Sequence, residues 1–139
     1  MIARRNQVSG QAEAEYAADV ALAAQFDDLL ARAREAEQAF RSAQARGAPA
    51  DEVYPLATKL DTALTDVMRA AYAAQRVEIG PRGYEDWIFR RKARAKSAVH
   101  AWTDEAERLL TLRETHRLTG IPPEPVAGLP GGISTHVPA

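Results

Sequence analysis

At 139 residues, 46% of them hydrophobic and 27% charged, the chain has the size and composition of one folded domain. Such a domain buries roughly two-thirds of its unfolded surface. A net charge of −1 excludes a global polyanion-binding signature, and the absence of cysteine excludes disulfides and thiolate chemistry.

Residues 1–9 are polar and predict a short N-terminal arm, with Ser9 or Gly10 as the cap of the first helix. The opening MIARRNQVSGQ holds two arginines but no apolar core of a secretory signal. From Gln11 to Arg46 there is no Pro or Gly. Leu22, Phe26, Leu29, Ala33, Ala36, Phe40 and Ala43 recur at alternating spacings of four and three, a heptad seam on one face of a helix about 50 Å long. Gly47-Ala48-Pro49 ends that helix, and Asp51 is the expected N-cap of the next. Val53, Ala57, Leu60, Leu64, Val67, Ala71 and Ala74 then repeat the seam, widened by Leu56, Ala63 and Met68. The short linker predicts an antiparallel hairpin of the two helices.

Gly80-Pro81-Arg82-Gly83 is a turn: proline fixes φ, and each glycine tolerates φ > 0. A third helix is expected from Tyr84 to Leu118, with Tyr84, Ile88, Ala95, Val99, Trp102, Ala106, Leu109 and Leu110 in its core arc. Thr103-Asp104-Glu105 can instead cap a new helix, so a continuous helix and one broken near 100–103 are both open. Gly120, Pro122 and Pro123 stop the helix. Residues 120–139 hold too many Pro and Gly for a helix or central strand and predict an extended tail. Within it Val126, Leu129, Ile133 and Val137 are the residues expected to fill small pockets on a partner.

The expected fold is therefore all-α: three long helices in an up-down-up bundle over 10–119, between the arm at 1–9 and the tail at 120–139. Alanine supplies 29 residues. It forms helices readily but buries little area, so the core is thin, and a neighbouring subunit would complete it. No apolar run approaches the ~20 residues of a membrane span. The expectation is a cytoplasmic protein, with no membrane partner, in a reducing compartment.

Little here points to catalysis. His100, His116 and His136 show no metal-ligand spacing. The clusters Asp27-Asp28, Glu35/Glu37 and Asp104-Glu105-Glu107 lie near arginines and read as solvated helix faces rather than acid–base pairs. GPRG lacks the spacing of a phosphate loop, and no serine sits in a GxSxG turn. No cofactor, metal or catalytic residue is predicted, and no enzyme.

The one candidate site is basic. Residues 82–96 carry six basic and two acidic side chains. Arg90, Arg91, Lys92, Arg94 and Lys96 fill five of seven positions, with Arg82 nearby. At about 100° per residue they encircle the helix, and Arg91 and Lys92 border its core arc. Tyr84 and Trp87 are expected to pack at the helix start. Two functions are compatible with this pattern. The first is a non-enzymatic structural subunit of a larger, homo-oligomeric assembly, most like a tailed-phage virion component (head–tail connector, adaptor or capsid cement), with its tail docked on a neighbour. The alternative is a small nucleic-acid-binding module for packaging or regulation, using the basic run on phosphates.

Overall fold

A computed structural model describes residues 7–125. These residues form five α-helices and one 3-10 turn, with no strand among them. The helices are α1 (Gly10–Ala23), α2 (Phe26–Ala45), α3 (Ala50–Ile79), α4 (Trp87–Ala93) and α5 (Ser97–Thr119), with the 3-10 turn at Pro81–Tyr84. The all-helical class is as expected; in place of three long helices there are five of unequal length among the described residues. No described helix is long and apolar enough to cross a membrane.

The expected helix over 11–46 divides at Ala24–Gln25. Neither residue breaks helices. Both keep helical φ, but the Gln25 amide bonds Leu22 rather than the carbonyl four residues back, so the last turn tightens into 3-10 geometry. The cause is tertiary. Asp19 on α1 is tied to α3 and the 3-10 turn, whereas Phe26 on α2 packs edge-on against Trp102 of α5 at 5.0 Å. Both halves pack along α3, and these further contacts differ between them. Ser9 caps α1 as expected, its hydroxyl accepting from the Ala12 amide at 3.1 Å.

Gly47 closes α2 at φ +66. The cap of α3 is corrected from Asp51 to Pro49, and Asp51 and Glu52 sit in its first turn, where carboxylates suit the positive end of the helix dipole. Pro55 lies inside α3 as its sixth residue.

The longest helix, α3, is the axis of the molecule. Side-chain pairs give the register of α5 along it: Gln75 with Thr103, Thr65 with Arg113, and Asp61 with Arg117. Numbers fall on one helix as they rise on the other, so the two are antiparallel. On the other flank Arg76 meets Asp19 near one end, and Arg46 meets Glu52 at the other. The main core joins Leu29, Phe40, Leu60, Leu64, Val67 and Leu109 to six alanines: 33, 36, 57, 70, 71 and 106. Most residues of both heptad seams are inside it, with Leu22, Phe26 and Val53 partly buried against it. Small residues let α3 sit close to its neighbours, and its Ala70, Ala71 and Ala73 are all at 0% exposure.

The third predicted helix is the largest departure. The break falls at Arg94–Lys96, not at 100–103, and Thr103-Asp104-Glu105 lies inside α5. The Ala95 and Lys96 amides bond the carbonyls of Lys92 and Ala93. Ala93 before the break and Val99 after it belong to one small cluster with Ile79. Wrapping a single apolar anchor from both sides requires the chain to turn. As a result Ile88 and Ala95, expected in the core, are exposed. Gly80 takes φ +100, while Gly83 has no positive φ. A Cβ on Gly83 would collide with Ile79 Cγ2, so close packing, not conformation, requires glycine there.

Beyond Gly120, residues 121–125 are non-helical, and Ile121 packs against the main core. Val126, Leu129, Ile133 and Val137 lie outside the described residues, as do 1–6.

Candidate interaction surface

Asp86 starts α4. Its carboxylate accepts from the Phe89 amide at 3.0 Å. That backbone bond, with Arg82 beside it, holds the carboxyl below its ordinary pKa despite the cost of desolvation. The helix then has two faces. Inward, Ala93 is buried and Phe89 packs on the Ile79 cluster. Arg82 lies over the Phe89 ring, 4.8 Å from its centroid, and pairs with Asp86 at 3.3 Å. Arg90 also turns inward, donating to the Gly83 carbonyl at 2.7 Å.

Outward, Trp87 is 59% exposed and Ile88 52%. Arg91 and Lys92 come one helical turn later, on the same face. With Ala95 these four line a shallow depression of about 550 Å³. Arg94 and Lys96 stand in the turn beyond. Arg91, Lys92, Arg94 and Lys96 are all exposed, and none makes an ion pair among the described residues.

The structure thus divides the six predicted bases. Arg82 and Arg90 hold the 3-10 turn and α4 together. Arg91 and Lys92 share an outward face, where the sequence placed them beside the core arc. Arg94 and Lys96 leave the helix altogether. The encircling distribution holds only for a continuous helix, and this segment turns. Trp87, expected to anchor the helix start, is instead exposed on this face. Its signal was weak: Trp87 and Ile88 form the apolar pair, and Arg91 and Lys92 the basic pair, of one i,i+4 pattern that only a short helix isolates.

The expected packing role of Tyr84 is met in a different setting. Its ring meets Tyr16 edge-on at 6.3 Å, and its hydroxyl donates to Asp19. Arg76 grips the same carboxylate with Nε at 2.7 Å and Nη2 at 3.1 Å. Three elements meet there, and every partner is internal.

The histidines separate likewise. His100 is on the surface beside Asp104 at 3.1 Å. His116 is buried between helices, edge-on to Phe40 at 5.0 Å. Its Nε2 lies 2.7 Å from the Ala57 carbonyl, which can only accept, so Nε2 carries the proton. His136 lies outside the described residues. No three His, Asp or Glu side chains gather as a metal-ligand set among the described residues.

A groove of about 330 Å³ runs between α2 and α5, with Phe40, Leu60, Leu64 and Leu109 in its floor and Arg34, Glu37 and Arg41 on its α2 side. Glu37 and Arg41 on that side form an ion pair at 3.6 Å. No protein family, curated protein or solved structure matches this chain.

Proposed function

We propose that this chain is a non-enzymatic structural subunit of a larger assembly, and that the outward face of α4 is where it meets another protein subunit. One observation carries the reading: Trp87 and Ile88 are more than half exposed, side by side, and share a depression with Arg91 and Lys92, which make no ion pair among the described residues. Covering both side chains stabilises a complex by about 2–3 kcal/mol. Aromatic and arginine residues at the centre of a contact patch are the usual sources of binding energy.

The narrower reading is a tailed-phage virion component of the head–tail connector, adaptor or capsid-cement type. It rests on architecture alone: long alanine-rich helices, a thin core, and a Pro/Gly-rich end. In that reading the working unit is an up-down-up bundle in which α1–α2 and α4–α5 each act as one bent rod. Val126, Leu129, Ile133 and Val137 then dock on the adjacent subunit.

Sedimentation or light scattering of the purified protein tests the assembly reading. A species heavier than one chain at micromolar concentration is expected; a strict monomer that melts cooperatively overturns it.

The nucleic-acid alternative is favoured by the four exposed bases. It is weaker because two of them share their face with Trp87 and Ile88 instead of lining a polar stripe. Titration with single-stranded and duplex oligonucleotides across a salt series discriminates. A phosphate-driven complex weakens steeply as salt rises, and such a complex would replace the assembly reading.

A further inference from the structure

We infer that the α4 face docks on a second copy of this chain, against a different and acidic surface of that copy, so that the contact is head-to-tail rather than two-fold. The inference rests on the assembly reading above and names its partner.

Residues 82–96 carry a net +4, while the whole chain is −1. Subtracting the patch from the total leaves −5 for everything else. The chain is therefore complementary to itself, but only if the patch meets some other region. A two-fold contact would set Arg91 and Lys92 of one copy against Arg91 and Lys92 of the other. Like charges in contact disfavour that arrangement, and Arg94 and Lys96 add to the repulsion.

Acids that could receive the patch are present. Asp27 and Asp28 stand exposed in the first turn of α2, with no ion pair among the described residues. Val20, at the end of α1 just before them, is 42% exposed. On α3 and α5, by contrast, Asp61 is already engaged by Arg117 and Glu105 by Arg108. A head-to-tail contact leaves each copy with one used and one free surface. Repetition closes a ring or extends a filament, according to the rotation between copies.

The chain has no cysteine, so a single Ala95→Cys places one photo-crosslinker at the edge of the α4 depression without removing Trp87 or Ile88. Crosslinked pairs are expected to join residue 95 of one copy to a peptide outside 82–96 of another. A second arm uses Arg91→Glu/Lys92→Glu, both at exposed positions, with helical content checked by circular dichroism. Self-association is expected to weaken at least tenfold in this variant, and wild-type self-association to weaken as salt is raised.

Crosslinks joining α4 to α4 overturn the head-to-tail geometry. An oligomeric wild type whose mass is untouched by the double variant overturns the inference and leaves the assembly reading standing. A monomeric wild type overturns both. Association that appears only after an oligonucleotide is added overturns both in favour of the nucleic-acid reading.

Discussion

At Asp19 three elements share one carboxylate. Burial raises the pKa of this group, but the hydrogen bonds from Arg76 and Tyr84 outweigh it, and the carboxyl is held below its usual 3.8. A depressed carboxyl contributes stability that is complete above its unfolded value and lost as pH falls through its folded one. Tyr84 has the opposite sign. Burial first, then the bond to Asp19, pushes its hydroxyl well above the usual 10.0. Its contribution is complete below about pH 10 and lost as pH rises beyond that. Asp19→Asn is therefore expected to lower unfolding stability at neutral pH by about 2 kcal/mol and to flatten the acid limb of stability below about pH 4. Urea denaturation across pH reads both. A second residue-scale prediction concerns Gly120, which ends α5. Glycine-to-alanine changes at unstrained backbone usually stabilise. Here a Cβ would collide with Nδ1 of His116, whose ring is pinned by Phe40 and the Ala57 carbonyl. Gly120→Ala should therefore destabilise, by about 1–3 kcal/mol, visible as a lower melting temperature. The sequence marked Gly120 as a helix stop; the close approach to His116 appears only once α5 lies along α3.

The element most dependent on one side chain is α4. Seven residues are too few for a helix to persist on propensity alone, and Asp86 supplies the cap that a short helix needs. Asp86→Ala should leave the global melt almost unchanged. The amides of Trp87–Ala93 should exchange with solvent several-fold faster, as measured by hydrogen exchange. Loss of the cap also releases Arg82 from its ion pair, so the turn at Pro81–Tyr84 loosens with the helix. If the α4 face is the docking site, this variant weakens association without any change to Trp87, Ile88, Arg91 or Lys92. The break between α1 and α2 shows the same dependence on context. No residue at Ala24–Gln25 announces it, because it arises from what the two halves touch.

For the whole molecule, the decisive property is a core with few large side chains. Leu109, Val67 and Val99 are the largest fully buried ones, and much of the remainder is alanine. Such a core loses a large share of its apolar contact at each truncation. Leu109→Ala is expected to cost about 3–4 kcal/mol, a large fraction of the stability of a domain this size. Thermal or urea unfolding gives the value. Removal of residues 126–139 tests a different property. If that segment lashes neighbouring subunits, the truncated chain should fold with an unchanged monomer melt but assemble more weakly, as read by sedimentation. Unchanged assembly would separate the tail from the α4 contact.

The all-helical class, the two heptad seams and the stops at Gly47, Gly80 and Gly120 were all legible in the order of residues. Periodicity, capping and backbone freedom act within a few residues, so local order contains them. Two features arise only when distant segments pack. One is the breaking of two long helices: Asp19 and Phe26 make different contacts on either side of the first break, and Ala93 and Val99 pack on Ile79 from either side of the second. The other is the sorting of the basic run. Six similar cations are indistinguishable in one dimension. Packing of Phe89 and Ala93 onto Ile79 draws Arg82 and Arg90 inward and leaves Trp87, Ile88, Arg91 and Lys92 facing out. Burying the apolar anchor fixed the rotation of α4, and that rotation made the exposed face.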